Sequence, residues 1–284
     1  MKKAFEKNKI LIPISAVGVI ILNMIFWNIF DKLVIPAGWF SDTKLSTIVN
    51  TVENLAASAV FILIIKKLFG MKIGIGKKEL VKGIFLYGLV VCITAVTQFI
   101  LSFQTPEKSL GQALPWILLF FIYNMTVGMI EEIIYRGLIF NSFRKYFGES
   151  KNDIYKAVLM SGAVFGAVHI TNLIFAPALV IATITQVIYA FFFGVLFAVI
   201  YYRTGNLLPC IILHGIIDLS AAFWTCFAND IDKQINTANT TDMDIGTALM
   251  LLGTLSTLFI SGLWQLRRSF KTQQTAAPKE RYAF

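Results

Sequence analysis

A chain of 284 residues with 57% hydrophobic and only 14% charged side chains, at a mean hydropathy of +0.72, cannot clothe itself in a water-facing surface, since soluble domains carry about a quarter charged residues. The 25 basic residues against 16 acidic ones, a net charge of +9, could suggest nucleic acid. Their placement in loops between apolar runs argues instead for a membrane protein whose positive charge sets its topology.

A bilayer-spanning helix takes about 20 mainly apolar residues. Eight stretches qualify, at about 10–30, 46–66, 80–103, 114–141, 156–175, 178–202, 206–227 and 246–266, so an all-α, polytopic fold of eight transmembrane helices is expected. The first stretch follows MKKAFEKNK as a signal peptide would. Its apolar run is about 20 residues where a signal has 7–15, and no small-residue cleavage site stands out, so a retained helix is expected. With the N-terminus placed in the cytoplasm, only Lys32, Lys44, Lys108 and Lys233 fall outside, and Arg136 falls within a helix. The other 20 Lys and Arg, from Lys2 and Lys3 to Lys279 and Arg281, are then cytoplasmic, which predicts both termini inside and some attraction to anionic lipid head groups. The cysteines Cys92, Cys210 and Cys226 lie in separate apolar runs without metal-ligand spacing and read as structural thiols.

Two connectors have a character of their own. KIGIGKK at 72–78 faintly resembles a glycine-rich phosphate loop, but no strand precedes it and the spacing is wrong, so it reads as a cytoplasmic linker. ANDIDKQINTANTTDMD, 228–244, is acidic and polar and reads as a solvated external connector. The organisation expected is three N-terminal helices in 1–113, a core of four helices in 114–227, and an external loop, last helix and basic tail in 228–284.

Few ionisable groups fall inside the predicted spans: Glu53, Glu131, Glu132, Arg136, and the chain's two histidines His169 and His214 with Asp218. Such groups are costly in a bilayer and usually face a protein interior or wet cavity. At 1.5 Å rise per residue, Glu131 lies ~15 Å above the cytoplasmic end of its helix, His169 ~20 Å, His214 ~12 Å and Asp218 ~18 Å above theirs. Three separate helices thus bring polar groups to one layer. Glu53 enters from the opposite face, ~10 Å deep, and fits the outer interface better. Glu132 and Arg136 are four apart and can pair on one helix face, leaving Glu131, about 100° away, free. His214 and Asp218 share a face by the same spacing. Phe165, one turn before His169, can wall that imidazole from lipid. Ala190, Gly194 and Ala198 form a small-xxx-small stripe that admits a close helix neighbour. Tyr135, Tyr189, Tyr201 and Tyr202 read as packing or interface residues.

A glutamate and two histidines suit general acid–base work on water, with a second imidazole donating to an oxyanion. No Ser/His/Asp order or reactive-cysteine context points to a covalent nucleophile; Ser161 and Ser220 read as ordinary helix residues. The same groups could form an N/O zinc tetrad, although H-E-x-x-H is absent. They could also serve an ion-coupled transporter, although the Pro/Gly breaks of discontinuous helices are not evident in the fourth, fifth and seventh spans.

EEIIYRG (131–137), FGAVH (165–169) and HGIID (214–218), in that order, resemble the E-E-x-x-x-R-G, F-x-x-x-H and H-x-x-x-N/D motifs of the CPBP family, the CAAX protease and bacteriocin-processing or immunity group also called Abi. The stretch FFFGVLFAVIYYRTGNLLPCIILH, 191–214, resembles the family's approach to its last motif, and the resemblance covers about 115–225. It implies an intramembrane glutamate-dependent endopeptidase with a helical core. Glu131 would activate water, His169 would hold that water, and His214 would line the oxyanion site with Asp218 beside it. Glu132, Arg136 and Phe165 would support them. The resemblance implies metal-independent chemistry, so no cofactor is expected, with zinc at the cluster and a non-catalytic immunity protein as the alternatives. Where some members carry asparagine, this chain has Asp218. An ionised carboxylate only accepts hydrogen bonds, so Asp218 is expected to pair with His214 and hold the ring as a charged donor. The implied partners are membrane lipid and a peptide or membrane-protein substrate. The implied setting is a bacterial plasma membrane, with bacteriocin immunity as a physiological role.

Overall fold

The computed structural model describes residues 5, 7–40, 42–238 and 242–275. Lys2, Lys3, Lys279 and Arg281, counted for orientation, lie outside the described residues. Helices α1 (Leu11–Val34), α2 (Thr43–Leu68), α4 (Leu110–Phe147), α5 (Lys151–Ile174), α6 (Val180–Thr204), α7 (Leu208–Phe227) and α9 (Ile245–Thr275) are each long and apolar enough to cross a membrane. An eighth candidate, α3, is a bent pair, Leu80–Tyr87 and Leu89–Leu101, broken by 64° at Gly88. No strand occurs among the described residues. The all-α, multi-pass architecture is therefore the expected one, with differences at the ends.

Those differences have local causes. The fifth span begins at Lys151 rather than 156 because Ser150 and Asp153 form a reciprocal capping box, Ser150 Oγ accepting from the Asp153 N–H and Asp153 Oδ2 from the Ser150 N–H. The fourth helix runs 38 residues, past the hydrocarbon layer, because its last turns bury Phe143 and Arg144 against protein. The polar connector holds a short helix, α8 (Ile231–Ala238), whose Ile231 and Ile235 lie one turn apart and pack beside Phe227 and Ala113.

Helix pairs α4–α7 and α5–α6 pack most closely around the polar layer. A β-carbon on Gly128 of α4 would stand 2.8 Å from the Ile211 carbonyl oxygen and 2.9 Å from the Gly215 nitrogen of α7. One on Gly194 of α6 would stand 2.8 Å from Gly162 Cα of α5. Only glycine permits either approach. The small-residue stripe of α6 is accordingly buried, with Ala190 and Ala198 flanking Gly194. On the far side of the bend, a β-carbon at Gly88 would run into Leu213 of α7, so α3 lies directly on the helix that carries His214. Residues Val195–Ile200 of α6 form the most enclosed part of the core. Outward faces leave large apolar side chains uncovered, among them Leu33, Leu101 and Met250, as a lipid-facing exterior does.

The connector at 72–78 is stitched to the turn between α6 and α7. Asn206 Oδ1 accepts from the N–H groups of Gly76 (3.2 Å) and Leu208 (3.1 Å), and its Nδ2 donates to the carbonyls of Gly76 (2.6 Å) and Lys78 (2.8 Å). At the opposite end, Asp242 accepts from the Ile181 and Ala182 N–H groups that open α6.

Candidate active site

Two adjacent glutamates on α4 have unlike surroundings. The Glu132 side chain is wholly buried, while that of Glu131 keeps 28% of its surface open. Glu132 Oε1 accepts from Arg136 Nη1 at 2.9 Å, and Arg136 is itself fully buried. The expected i, i+4 pair is present. It lies at the start of a π-helical stretch, Ile133–Phe140, whose wider i→i−5 turns carry Arg136 back over Glu132. Arg136 is further enclosed by the rings of Phe165 (4.6 Å from its Cζ) and Phe197 (5.1 Å), and its Nη2 reaches the Gly194 carbonyl at 3.5 Å. Desolvated guanidinium–aromatic contacts of this kind are worth about 2 kcal/mol.

Glu132 does more than neutralise the arginine. His214 of α7 places Nδ1 2.8 Å from the same Oε1. An oxygen that accepts from Arg136 in a carboxylate has no proton to give, so the imidazole is the donor. The other ring nitrogen, Nε2, faces the open side, 3.5 Å from Glu131 Oε2 and 3.6 Å from Asp218 Oδ2. The ring is stacked on Phe197 (centroids 5.5 Å, 22°) and meets the edge of Phe165 at 5.9 Å. His214 is thus gripped from behind and presented forward. The expectation that Asp218 holds the ring is met only loosely: the short hydrogen bond belongs to Glu132, and Asp218 lies beside Nε2 at ion-pair distance.

His169 closes α5, where the helix tightens into a 3₁₀ turn over His169–Thr171. Phe165 lies edge-on to it, with centroids 5.3 Å apart. His169 is half-buried and within electrostatic reach of His214 and Asp218. Phe165 therefore contacts Arg136 and both imidazoles, a larger role than walling one of them. The structure brings Glu131, Glu132, Arg136, His214 and Asp218 into direct contact around Phe165, with His169 at the edge. Glu53 instead lies within electrostatic reach of Asp31 of α1.

Three features escape a reading of the sequence. Tyr123, two turns before Glu131 on α4, and Tyr189 on α6 both lie within electrostatic reach of Asp218. Phe197 supports the His214 ring from a run of phenylalanines where composition singles out none. Ser161, an ordinary helix residue by sequence, donates across to α4 at the Tyr135 carbonyl, 3.1 Å away. Among the described residues, no three His, Cys, Asp or Glu side chains form a group that could hold a metal ion.

In chemical terms the arrangement provides one buried, neutralised carboxylate that orients an imidazole, and one accessible carboxylate beside that imidazole's free face. Comparison with family models matches residues 113–220 to the Rce1-like family, described as type II CAAX prenyl endopeptidase Rce1-like. No curated protein and no solved structure matches the chain. The matched segment contains every residue of the cluster, and the Rce1-like family is a protease family. Residues 113–220 of this multi-pass membrane protein thus match the CAAX-protease-like (CPBP) family.

Proposed function

We propose that the chain is an intramembrane endopeptidase in which Glu131 activates water. The observation that carries this reading is the division of labour between the glutamates: Glu132 is buried and bonded to Arg136 and His214, whereas Glu131 is open and 3.5 Å from His214 Nε2. A water held between Glu131 and His169 gives a proton to Glu131 as its oxygen attacks the scissile carbonyl carbon. The C–O bond forms and the carbonyl oxygen becomes an oxyanion. His214 Nε2–H donates to that oxyanion, while the Nδ1 hydrogen bond to Glu132 fixes the ring plane. Glu131 then passes its proton to the leaving amine as the C–N bond breaks, so one water is consumed and the carboxylate is regenerated. Asp218 adds negative potential at Nε2 and helps keep the ring a donor. The site groups supply acid, base and oxyanion donor without a cofactor.

The substrate we propose is a peptide or a membrane-protein segment, processed in a bacterial plasma membrane with the basic end of the bundle in the cytoplasm, and bacteriocin immunity is one physiological outcome. The test compares the membrane peptidomes of strains carrying the wild type, Glu131→Gln and His169→Ala. Fragments present only with the wild type, at equal levels of inserted protein, are expected. Identical peptidomes would defeat the reading, and a phenotype retained by both variants would favour a protein that binds without cutting. Stoichiometric zinc in purified protein, lost on His214→Ala, would replace the direct water mechanism with a metal-assisted one.

A further inference from the structure

Serine in a spanning helix ordinarily returns its hydroxyl to a carbonyl three or four residues back on its own chain. Ser161 of α5 does not. It is 1% exposed and gives its hydroxyl to the Tyr135 carbonyl of α4 at 3.1 Å. Tyr135 lies within the π-helical stretch Ile133–Phe140. There the backbone ladder is displaced by one residue from the α-helical register, and a slip back would turn the following side chains by roughly 100°, one residue's rotation. Arg136 is the next residue after Tyr135. Its guanidinium is the donor that fixes Glu132 Oε1 (2.9 Å), which in turn receives His214 Nδ1 (2.8 Å). The Tyr135 ring meets the edge of Phe165 at 4.7 Å, the same ring that touches both imidazoles. One residue along α5, Gly162 brings α6 close enough for the Gly194 carbonyl to reach Arg136 Nη2 at 3.5 Å. Every link from the Ser161 hydroxyl to the His214 ring is therefore a buried contact or a peptide bond.

We infer that Ser161 is a positioning residue whose hydroxyl locks the π-turn of α4 in register and, through Arg136 and Glu132, holds His214 with Nδ1 toward Glu132 and Nε2 toward Glu131. A hydroxyl buried in apolar surroundings is costly unless bonded, and this one has its bond at the segment whose register sets the site. Alanine would remove the hydroxyl, and with it the lock, at the cost of one small buried atom.

The chain's two histidines make the test direct and independent of any substrate. Full-length protein labelled with ¹⁵N-histidine in lipid bicelles gives two imidazole signal sets, assigned with His169→Gln. In the wild type the His214 Nδ1–H is expected as a low-field, slowly exchanging proton. Ser161→Ala is expected to lose that proton signal and move the His214 nitrogens toward free-imidazole values while the His169 signals stay put. Ser161→Thr, which restores a hydroxyl, is expected to bring the signal back, and Ser161→Val is not. Where Ser161→Ala fails to fold, Ser161→Cys, with a weak donor of nearly the same size, is expected to weaken the bonded signal in folded protein. Unchanged His214 signals in a folded Ala or Cys variant, even with lowered thermal stability, would reduce Ser161 to packing and overturn the inference. A wild type with the bonded proton but no peptidase activity would leave it standing and defeat the proposed function instead.

Discussion

Removing the Glu132 carboxylate should destabilise the fold far more than removing Glu132 and Arg136 together. Glu132→Met leaves the fully buried Arg136 guanidinium with one long contact, 3.5 Å to the Gly194 carbonyl, and two aromatic faces. Breaking a buried ion pair from one side costs about 3–5 kcal/mol. The His214 Nδ1–H also loses its acceptor, which adds about 1–3 kcal/mol for a buried unsatisfied donor. The aromatic faces of Phe165 and Phe197 contact the guanidinium before and after the substitution and cancel, so a net loss of roughly 4–8 kcal/mol is expected. That is a large share of the 5–15 kcal/mol that holds a typical domain folded. Glu132→Met/Arg136→Met replaces both charges by apolar side chains of similar length, and such replacements are often close to neutral. The double variant should therefore recover to within about 2 kcal/mol of the wild type. It should stay inactive, because His214 still lacks the partner that orients it. Denaturant unfolding in mixed micelles measures the stabilities, and the peptidome comparison measures activity. A single variant costing under about 1 kcal/mol, or a double variant no more stable than the single, would refute the claim that this pair is dry and mutually dependent.

Gly128→Ala should force α4 and α7 apart at the Ile211 carbonyl and Gly215 nitrogen, at about 1–3 kcal/mol for overpacking. It should lower kcat more than stability alone accounts for, since the Glu131–His214 separation widens; wild-type kcat in folded protein would speak against that geometry. Asn206→Ala deletes three hydrogen bonds between the 72–78 connector and the α6–α7 turn, and a fourth within that turn, and should raise protease nicking in that connector, read by limited proteolysis; nicking at the wild-type rate would show that the stitch does not restrain it. The hydrogen bond from the Ala182 N–H to Asp242 holds that carboxyl below the usual carboxylate range. A group lowered on folding contributes fully above its unfolded value and progressively less as pH falls toward and through its native one. The thermal midpoint of the wild type should therefore drop on acidification from about pH 5 downward, with a shallower drop in Asp242→Asn, and parallel curves would contradict the assignment.

The spans were legible because apolar runs of the right length have few other uses, and the Glu132–Arg136 pair was legible because i, i+4 spacing on one helix is local geometry. A shared layer for Glu131, His169, His214 and Asp218 was legible from depth, since an assumed helix direction fixes height but leaves azimuth open. Competition between helices was not legible. Spacing within α7 offers Asp218 to His214, but Glu132 from α4 takes Nδ1 at 2.8 Å and leaves Asp218 at 3.6 Å from Nε2. The π-stretch has no compositional mark, because shifting a hydrogen-bond ladder by one residue changes no side chain. The role of Ser161 was hidden for the same reason, as its acceptor is a backbone carbonyl that the shifted ladder presents. Glu53 was placed near the outer interface by depth, but its partner Asp31 lies on α1, and no spacing rule links two helices joined by a loop.

The stitch at Asn206, together with the seat of Leu213 against Gly88, has a consequence for grafting. Helices α1–α3 lie outside the family-matched segment, yet the 72–78 connector and α3 are fastened to it, at the turn that opens the histidine-bearing helix and at Leu213 beside His214. A chimera that pairs this core with a foreign N-terminal half must transplant those fastenings as well, or the donor half will arrive as ballast and leave His214 unsupported.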